Sequence, residues 1–353
     1  MERVVIGMSG GVDSSVAAAV LKEQGYEVVG VTMRLWDGEE PDTSCCSSFA
    51  AEDAKRVADE LGIEFHVLDL RREFSEFVID YFTNEYINGR TPNPCIVCNQ
   101  FLKFGLLLEK AKELGAQKIA TGHYAKIEFD KQSGRYLLKR ADSSEKDQTY
   151  ALYRLTQEQL SHVIMPLGDF GDKEAVRKKA EELNLTTAKK ADSMEICFIP
   201  DNDYVSFIQR RCENLPPKGD FVDTKGNVLG RHQGIINYTI GQRKGLGIAF
   251  GKPMFVVKID KEKNQVVLGE KGTEFTDSLV ADNWNFISVE NIDKPIRAEI
   301  KVRYSARPAW GEISIEDGFL KVKFDEPQRA VTPGQAVVFY DGDTVIGGIT
   351  ILE

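Results

Sequence analysis

No stretch of this sequence reaches the ~18 consecutive apolar residues that a membrane-spanning helix needs. The chain also enters a strand-forming run at once, with no signal-peptide pattern. A cytoplasmic protein with no membrane partner is therefore expected. A surplus of positive charge is missing as well. The net charge is −10 over 353 residues, so a nucleic-acid partner would have to meet a local basic surface rather than a global field. Two familiar phosphate loops are absent: neither G-x-x-x-x-G-K-S/T nor G-x-G-x-x-G occurs. No internal repeat is evident. Cysteine is sparse, with six residues (Cys45, Cys46, Cys95, Cys98, Cys197 and Cys212). In a long, cytosolic-looking chain that count speaks for metal or redox chemistry rather than a disulfide scaffold.

What is present begins at "VVIGMSGGVDSSVAAAVLKEQG", residues 4–25. A strand-forming run meets Ser9-Gly10-Gly11, then Asp13, Ser14 and Ser15, then an alanine-rich helical pattern. Small residues, backbone N–H groups and the positive end of a helix dipole converge there, which suits a pyrophosphate. The plainer alternative is a strand–turn–helix corner with glycines at positive φ, and the Asp- and hydroxyl-bearing turn argues against it.

The first half of the chain alternates strand and helix: "YEVVGVTMRLW", "AAEDAKRVADELG", "IEFHVLDL", "RREFSEFVIDYFTNEYING", "CNQFLKFGLLLEKAKELG" and "AQKIATGHYAKIEF". This order predicts an α/β fold with an N-terminal doubly wound, mostly parallel sheet and ligands at the carboxyl ends of its strands. The last stretch reads as one strand with Gly122-His123 near its end. After about residue 200, "NLPPKGDFVDTKGNVLG" has the punctuation of a linker with turns. Short runs such as "PMFVVKID", "RAEIKVRY" and "QAVVFYDGDTVIGGITIL" then predict a β-rich tail. The expected division is a catalytic domain at 1–200, a small central β-rich domain at 201–280 and a C-terminal barrel or sandwich at 281–353.

"TPNPCIVCNQFLKFG" sets Cys95 and Cys98 three apart at a helix start, where the dipole favours a thiolate, and "ADSMEICFIP" adds Cys197. Two close cysteines and a remote one suit a nucleophile with a resolving thiol, or three ligands of a cluster. Cys212, on the helical "YVSFIQRRC", reads as a small packed hydrophobe.

"GMSGGVDSS", "TPNPCIVCNQFLKFG", "TGHYAKI", "KDQTYALYRL", "DSMEICFIPDNDY", "HQGIINYTIGQRKGLG" and "TPGQAVVFYDGD", in this order over nearly the whole chain, resemble the tRNA-specific 2-thiouridylases. That family belongs to the PP-loop ATP pyrophosphatases, and the resemblance implies a PP-loop, adenine nucleotide α-hydrolase-like first domain and a terminal β-barrel. The implied activity is sulfur insertion at C2 of a wobble uridine in tRNA. ATP adenylates the C2 oxygen, which then departs with AMP, and Mg²⁺ offsets charge on the phosphates. Gly7, Met8, Ser9, Gly10, Gly11, Val12, Asp13 and Ser14 would line the nucleotide, with Met33 and Gly122. Cys197 would carry a persulfide from a sulfur-relay or cysteine desulfurase partner, and Cys98 would release the sulfur by forming a transient disulfide. Asn93, Pro94, Cys95, His123, Lys146, Asp147, Gln148, Tyr304, Ser305 and Gln335 would meet the tRNA.

One departure concerns Cys95, which stands where many members carry an Asp proposed as general acid/base. Cys95, Cys98 and Cys197 instead resemble the three ligands of members proposed to hold a 4Fe-4S cluster whose open iron carries hydrosulfide. The basic pairs Lys189-Lys190, Arg210-Arg211 and Arg243-Lys244 are candidates for a local RNA surface. Two other functions remain open. Another PP-loop adenylating synthetase would share the first loop but has no need of the cysteines, and a zinc-bearing RNA scaffold would need a fourth ligand.

Overall fold

In a computed structural model, which describes residues 1–36, 48–190, 196–199 and 201–352, the parallel sheet forms from strands β1 (Arg3–Gly7), β2 (Glu27–Arg34), β3 (Glu64–Asp69) and β4 (Lys118–Ala120). The chain then leaves as a hairpin, β5 (Lys126–Asp130) and β6 (Arg135–Lys139), and returns as the short edge strand β7 (Val163–Ile164). The sheet order is β3-β2-β1-β4-β7, and every pair in it is parallel. Cys45 and Cys46 lie outside the described residues.

β1 has neighbours on both sides, so its apolar run is buried whichever way a side chain points. Val4 and Ile6 face one layer, with Val16 and Leu21 of helix α1 (Val12–Glu23), Val57 of α2 (Ser48–Leu61) and Val176 of a later helix. Val5 faces the other, with Phe104 and Leu107. The two-residue period of the strand thus sets helices on both faces. Two long helices complete this half. Helix α3 runs over residues 71–87 and α4 over 94–113, each with a π-wound middle, Ser75–Ile79 and Cys98–Leu106. π-Turns are uncommon and often occur at functional sites. Helices α5 (Lys173–Glu182) and α6 (Tyr204–Arg211) follow. Among the described residues no helix is long and apolar enough to cross a membrane.

The central unit is a four-stranded sheet, β8 (Gly219–Asp223), β9 (Val228–His232), β10 (Met254–Asp260) and β11 (Gln265–Glu270), ordered β10-β11-β8-β9. It packs Phe221, Tyr238, Val256, Val266 and Leu268 in one core, and Phe221 and Tyr238 of that core lie against the fully buried His232. That imidazole donates from Nε2 to the Asn264 carbonyl (3.1 Å) and accepts the Gly234 N–H at Nδ1 (3.0 Å). Burial lowers its pKa.

The terminal sheet has nine strands. They are β12 (Phe275–Ala281), β13 (Trp284–Phe286), β14 (Ile296–Lys301), β15 (Ala309–Glu316), β16 (Phe319–Arg329), β17 (Ala336–Asp341) and β18 (Thr344–Thr350), joined by β5 and β6. Two expectations change here. The stretch 116–129 is two strands in two sheets rather than one, because residues 121–125 turn away after β4 and Tyr124 pairs with Gln148 instead. Its N–H donates to Gln148 Oε1 and its carbonyl accepts the Gln148 N–H, both at 3.0 Å. A boundary at 280 would cut β12, which hydrogen-bonds along β16 of the terminal sheet.

Candidate active site

Sheet order reverses at β1. The chain moves outward through β2 and β3 and then crosses back to β4 on the other side, so the crevice between β1 and β4 is where such folds bind ligands. Gly7 closes β1, and Gly11 is the N-cap of α1. Gly10 has φ +67°, and a Cβ there would stand 2.5 Å from the Ala50 carbonyl, so only glycine lets the loop lie this close to α2. Met8 N–H donates to the Val31 carbonyl (2.8 Å), and the Thr32 hydroxyl donates to the Met8 carbonyl (2.5 Å). Ser14 Oγ accepts the Ser9 N–H (3.2 Å) and donates to the Gly11 carbonyl (3.2 Å). The loop is therefore braced from within, and the first N–H groups of α1 head the cradle.

Gly122, just after β4, packs directly on this turn. A Cβ at that position would come within 2.7 Å of the Ser14 nitrogen. Tyr124 and Lys173 supply contacts that motif reading passed over. The Tyr124 hydroxyl donates to Asp13 Oδ1 (2.6 Å), and the Lys173 ammonium donates to both Asp13 oxygens (2.7 Å each). One sequence signal for Lys173 existed: a lysine in the first turn of a helix opposes the dipole and calls for a partner elsewhere. Lys190, expected on an RNA surface, instead bonds Asp53 (2.7 Å) and the Gly10 carbonyl (3.2 Å).

Cys98 and Cys197 cluster with residues at the ends of β2 and β3, among them Met33, Leu35, Leu68 and Leu70. Asn93 caps α4 by accepting the Cys95 N–H at Oδ1 (3.1 Å), and Pro94 occupies the first helical position, where no N–H is needed. Cys95 is exposed, whereas Cys98 is buried at the start of the π-wound segment. Cys98 packs with Phe74, Phe82, Leu102, Phe198 and Phe207, and Cys197 packs against the same cluster. Cys212, read as a buried hydrophobe, is only half-buried at the end of α6. Met33 joins the two ends of the site. It packs against the cysteine cluster, and its Cε is 3.8 Å from where a Cβ of Gly7 would stand. The 4Fe-4S expectation finds no matching donor set, since among the described residues no three His, Cys, Asp or Glu side chains are grouped to hold a metal ion. Asp192, Ser193, Met194 and Glu195 of the cysteine motif fall outside the described residues.

Residues expected at the RNA divide into two groups. Asp147 and Gln148 are engaged by the chain itself: Asp147 accepts from the Thr149 hydroxyl (2.7 Å), and Gln148 holds the Tyr124 backbone. Gln335 donates to the Thr91 carbonyl (2.8 Å) and so clasps the loop that precedes Asn93. Tyr304 and Ser305 are exposed, and Lys301 Nζ lies 5.3 Å over the Tyr304 ring. Partial burial, Asp147 and Cys95 all raise the Tyr304 hydroxyl pKa while Lys146 opposes them, so these four side chains share one neighbourhood. His123 packs on Phe104 (5.7 Å between rings), its Nδ1 is 2.7 Å from the Thr121 hydroxyl, and desolvation and then Lys103 push its pKa well down. It is a neutral imidazole. Arg211 lies over Trp36 and Phe207 (5.9 Å each) as packing, and Arg243 lines a cleft of about 440 Å³ formed by central-domain residues alone.

Residues 2–201 match the family model for a tRNA methyl transferase HUP domain, 205–270 that for a tRNA methyl transferase PRC-barrel domain, and 276–351 that for an aminomethyltransferase beta-barrel domain. A protein of Acetivibrio thermocellus named tRNA-specific 2-thiouridylase MnmA is 56% identical over 353 residues, covering 98% of each chain. One of the same name from Clostridioides difficile is 53% identical over 351 residues, covering 98% of this chain and 97% of that one. A solved structure titled as a predicted subunit of tRNA methyltransferase from Methanocaldococcus jannaschii aligns at 21% identity over 52% of this chain and 75% of that one. The TM-score of that alignment is 0.34.

Proposed function

The chain belongs to the tRNA-specific 2-thiouridylase family, and on that premise we propose the route by which it works as a tRNA-uridine 2-sulfurtransferase. A uracil C2 carbonyl is a poor electrophile with a poor leaving group. The Gly7–Ser14 loop holds ATP so that the C2 oxygen attacks the α-phosphorus, pyrophosphate departs, and the oxygen becomes a leaving group as AMP. Mg²⁺ arrives with the triphosphate and supplies countercharge. The terminal sulfur of a Cys197 persulfide then attacks C2 and expels AMP. The Cys98 thiolate attacks the Cys197 sulfur next, leaving the electron pair on the sulfur at C2 and closing a Cys98–Cys197 disulfide. A two-electron reductant and a sulfur-relay or desulfurase protein reset the site.

The observation that carries this reading is Met33, which lies beside Gly7 of the nucleotide loop and packs against the cluster shared by Cys98 and Cys197. The target base enters beside Cys95, Lys146 and Tyr304, where a splayed wobble uridine would stack on an exposed aromatic face. A methyl transferase brings a donor with its own leaving group and needs no phosphate cradle, so thiolation accounts for the loop better than the label on the matched domain does.

Iron-free protein, unmodified tRNA, Mg-ATP and a persulfide donor should give 2-thiouridine and one AMP per modified base, measured by mass spectrometry of digested tRNA. Thiolation only by anaerobic protein that contains iron and acid-labile sulfide would overturn the persulfide route.

A further inference from the structure

The carboxyl ends of the adjacent strands β1, β4 and β7 each send one side chain to a single point: Asp13 after β1, Tyr124 after β4 and Lys173 beyond β7. Asp13 occupies the second position of α1, beside the N–H groups that head the cradle. A carboxylate there repels a triphosphate unless a cation stands with it. Beside any Mg²⁺ that comes with the triphosphate, Lys173 is a cation supplied by the chain itself, contacting both carboxylate oxygens with a side chain only 13% exposed. Its own setting disfavours it, because it is the first residue of α5 and faces that helix's positive end. An ammonium held against a helix dipole and largely out of water needs strong compensation. Asp13 supplies negative charge there, and a phosphate group beside the loop would add to it.

We propose that Lys173 is the cation that meets the β- and γ-phosphates of the nucleotide, and that Asp13 and Tyr124 are positioning residues that act through it. The inference rests on the nucleotide reading of the Gly7–Ser14 loop. It reassigns Asp13 from a direct nucleotide contact to the anchor of one. Lysine suits the task as a compact point charge on a flexible stem, able to turn toward phosphate without leaving the carboxylate's reach. Tyr124 keeps the carboxylate oriented, and the close seat of Gly122 on α1 brings Tyr124 within reach.

The test compares binding of Mg-ATP and AMP to the full-length protein by calorimetry at fixed ionic strength. AMP shares the adenosine and α-phosphate but lacks the group Lys173 is assigned to. Lys173→Met should weaken ATP binding tenfold or more and leave AMP binding within about twofold, while Lys173→Arg should recover most of the ATP affinity. Tyr124→Phe, which retains the ring, should weaken ATP by a few-fold with AMP again unaffected, and it carries the test should Lys173→Met not fold. Equal losses for ATP and AMP, or unchanged ATP affinity in Lys173→Met, would overturn the assignment while leaving the nucleotide reading intact. A wild-type protein that binds neither nucleotide sinks the nucleotide reading first, and the inference with it.

Discussion

The phosphate end of the site, around Gly7–Ser14, is held by hydrogen bonds and the Asp13–Lys173 ion pair, whereas the sulfur end, around Cys98 and Cys197, is held by packing among phenylalanines. The difference suits the chemistry proposed for each end. Phosphates arrive charged and need fixed donors and a countercharge. A persulfide of the kind proposed for Cys197 would be easily lost to stray thiols, and an apolar wall would limit access to it. The ends also differ in where their precision originates. The turn itself is local, within a dozen residues of chain, and distant Tyr124, Lys173 and Lys190 only brace it, while the cysteine cluster is itself drawn from α3, α4, α6 and residues 196–199 together.

The largest expected effect falls on the sulfur end alone. Cys197→Ser and Cys98→Ser should abolish 2-thiouridine formation while a first round of tRNA-dependent pyrophosphate release persists, and in Cys197→Ser the AMP should stay on the tRNA, because oxygen cannot carry the sulfur that expels it or accept the disulfide bond. Cys98→Ser also buries a hydroxyl among phenylalanines at a cost of about 1–3 kcal/mol. Cys98→Ala is therefore the control for folding, and Cys212→Ser should remain active. Pyrophosphate release that stopped together with thiolation would erase the division between the two ends.

Next comes the phosphate end. Gly10→Ala forces a residue with a Cβ into φ +67° and against the Ala50 carbonyl. Backbone strain alone costs about 1–2 kcal/mol. ATP affinity should drop tenfold or more by calorimetry, whereas loading of sulfur onto Cys197, read by mass spectrometry, should continue. Simultaneous loss of both would show that the ends fold as one.

A smaller effect is expected at the domain junction. Gln335→Ala removes the clasp on Thr91, and Gly334, at φ +88°, already sits with no room for a Cβ against that residue. The apparent KM for tRNA should rise a few-fold with ATP affinity unchanged. An equal shift in both would place the junction in the phosphate end's service.

The smallest is a pH effect far from either end. The buried His232 is neutral in the folded chain, with its pKa lowered from 6.5, so the unfolded chain takes up a proton that the folded one refuses. Its contribution is complete above pH ~6.5 and declines as pH falls below that value. Urea midpoints measured from pH 7.5 to 5.5 should decline less steeply for His232→Gln than for wild type. Parallel slopes would remove His232 as the source.

Much of this was legible beforehand, and its limits have physical causes. The strand β1, the glycine turn and the Ala-rich α1 are set by neighbours in sequence, so reading along the chain found them. The helix start at Cys95 was visible too, although Asn93, expected at the tRNA, turned out to cap α4 with its side-chain oxygen. The break of residues 116–129 between two sheets could not be read, because a strand pattern records burial and not which sheet provides it. Lys173 and Tyr124 were passed over for a related reason: each reaches Asp13 across more than a hundred residues of chain.

By itself the sequence determined the βα order, the glycine-rich turn, the cysteines and the family they resemble, since all of these reside in residue type and local spacing. Tertiary structure decided which groups act together. It set Lys173 on Asp13, turned Lys190 from an RNA candidate to a brace on the Gly10 loop, engaged Asp147, Gln148 and Gln335 with the chain's own backbone, and put Cys98 and Cys197 in one apolar cluster. The physical reason is reach: hydrogen bonds and packing act over a few ångströms in space, and only the folded sheet brings its strands' carboxyl ends within that distance.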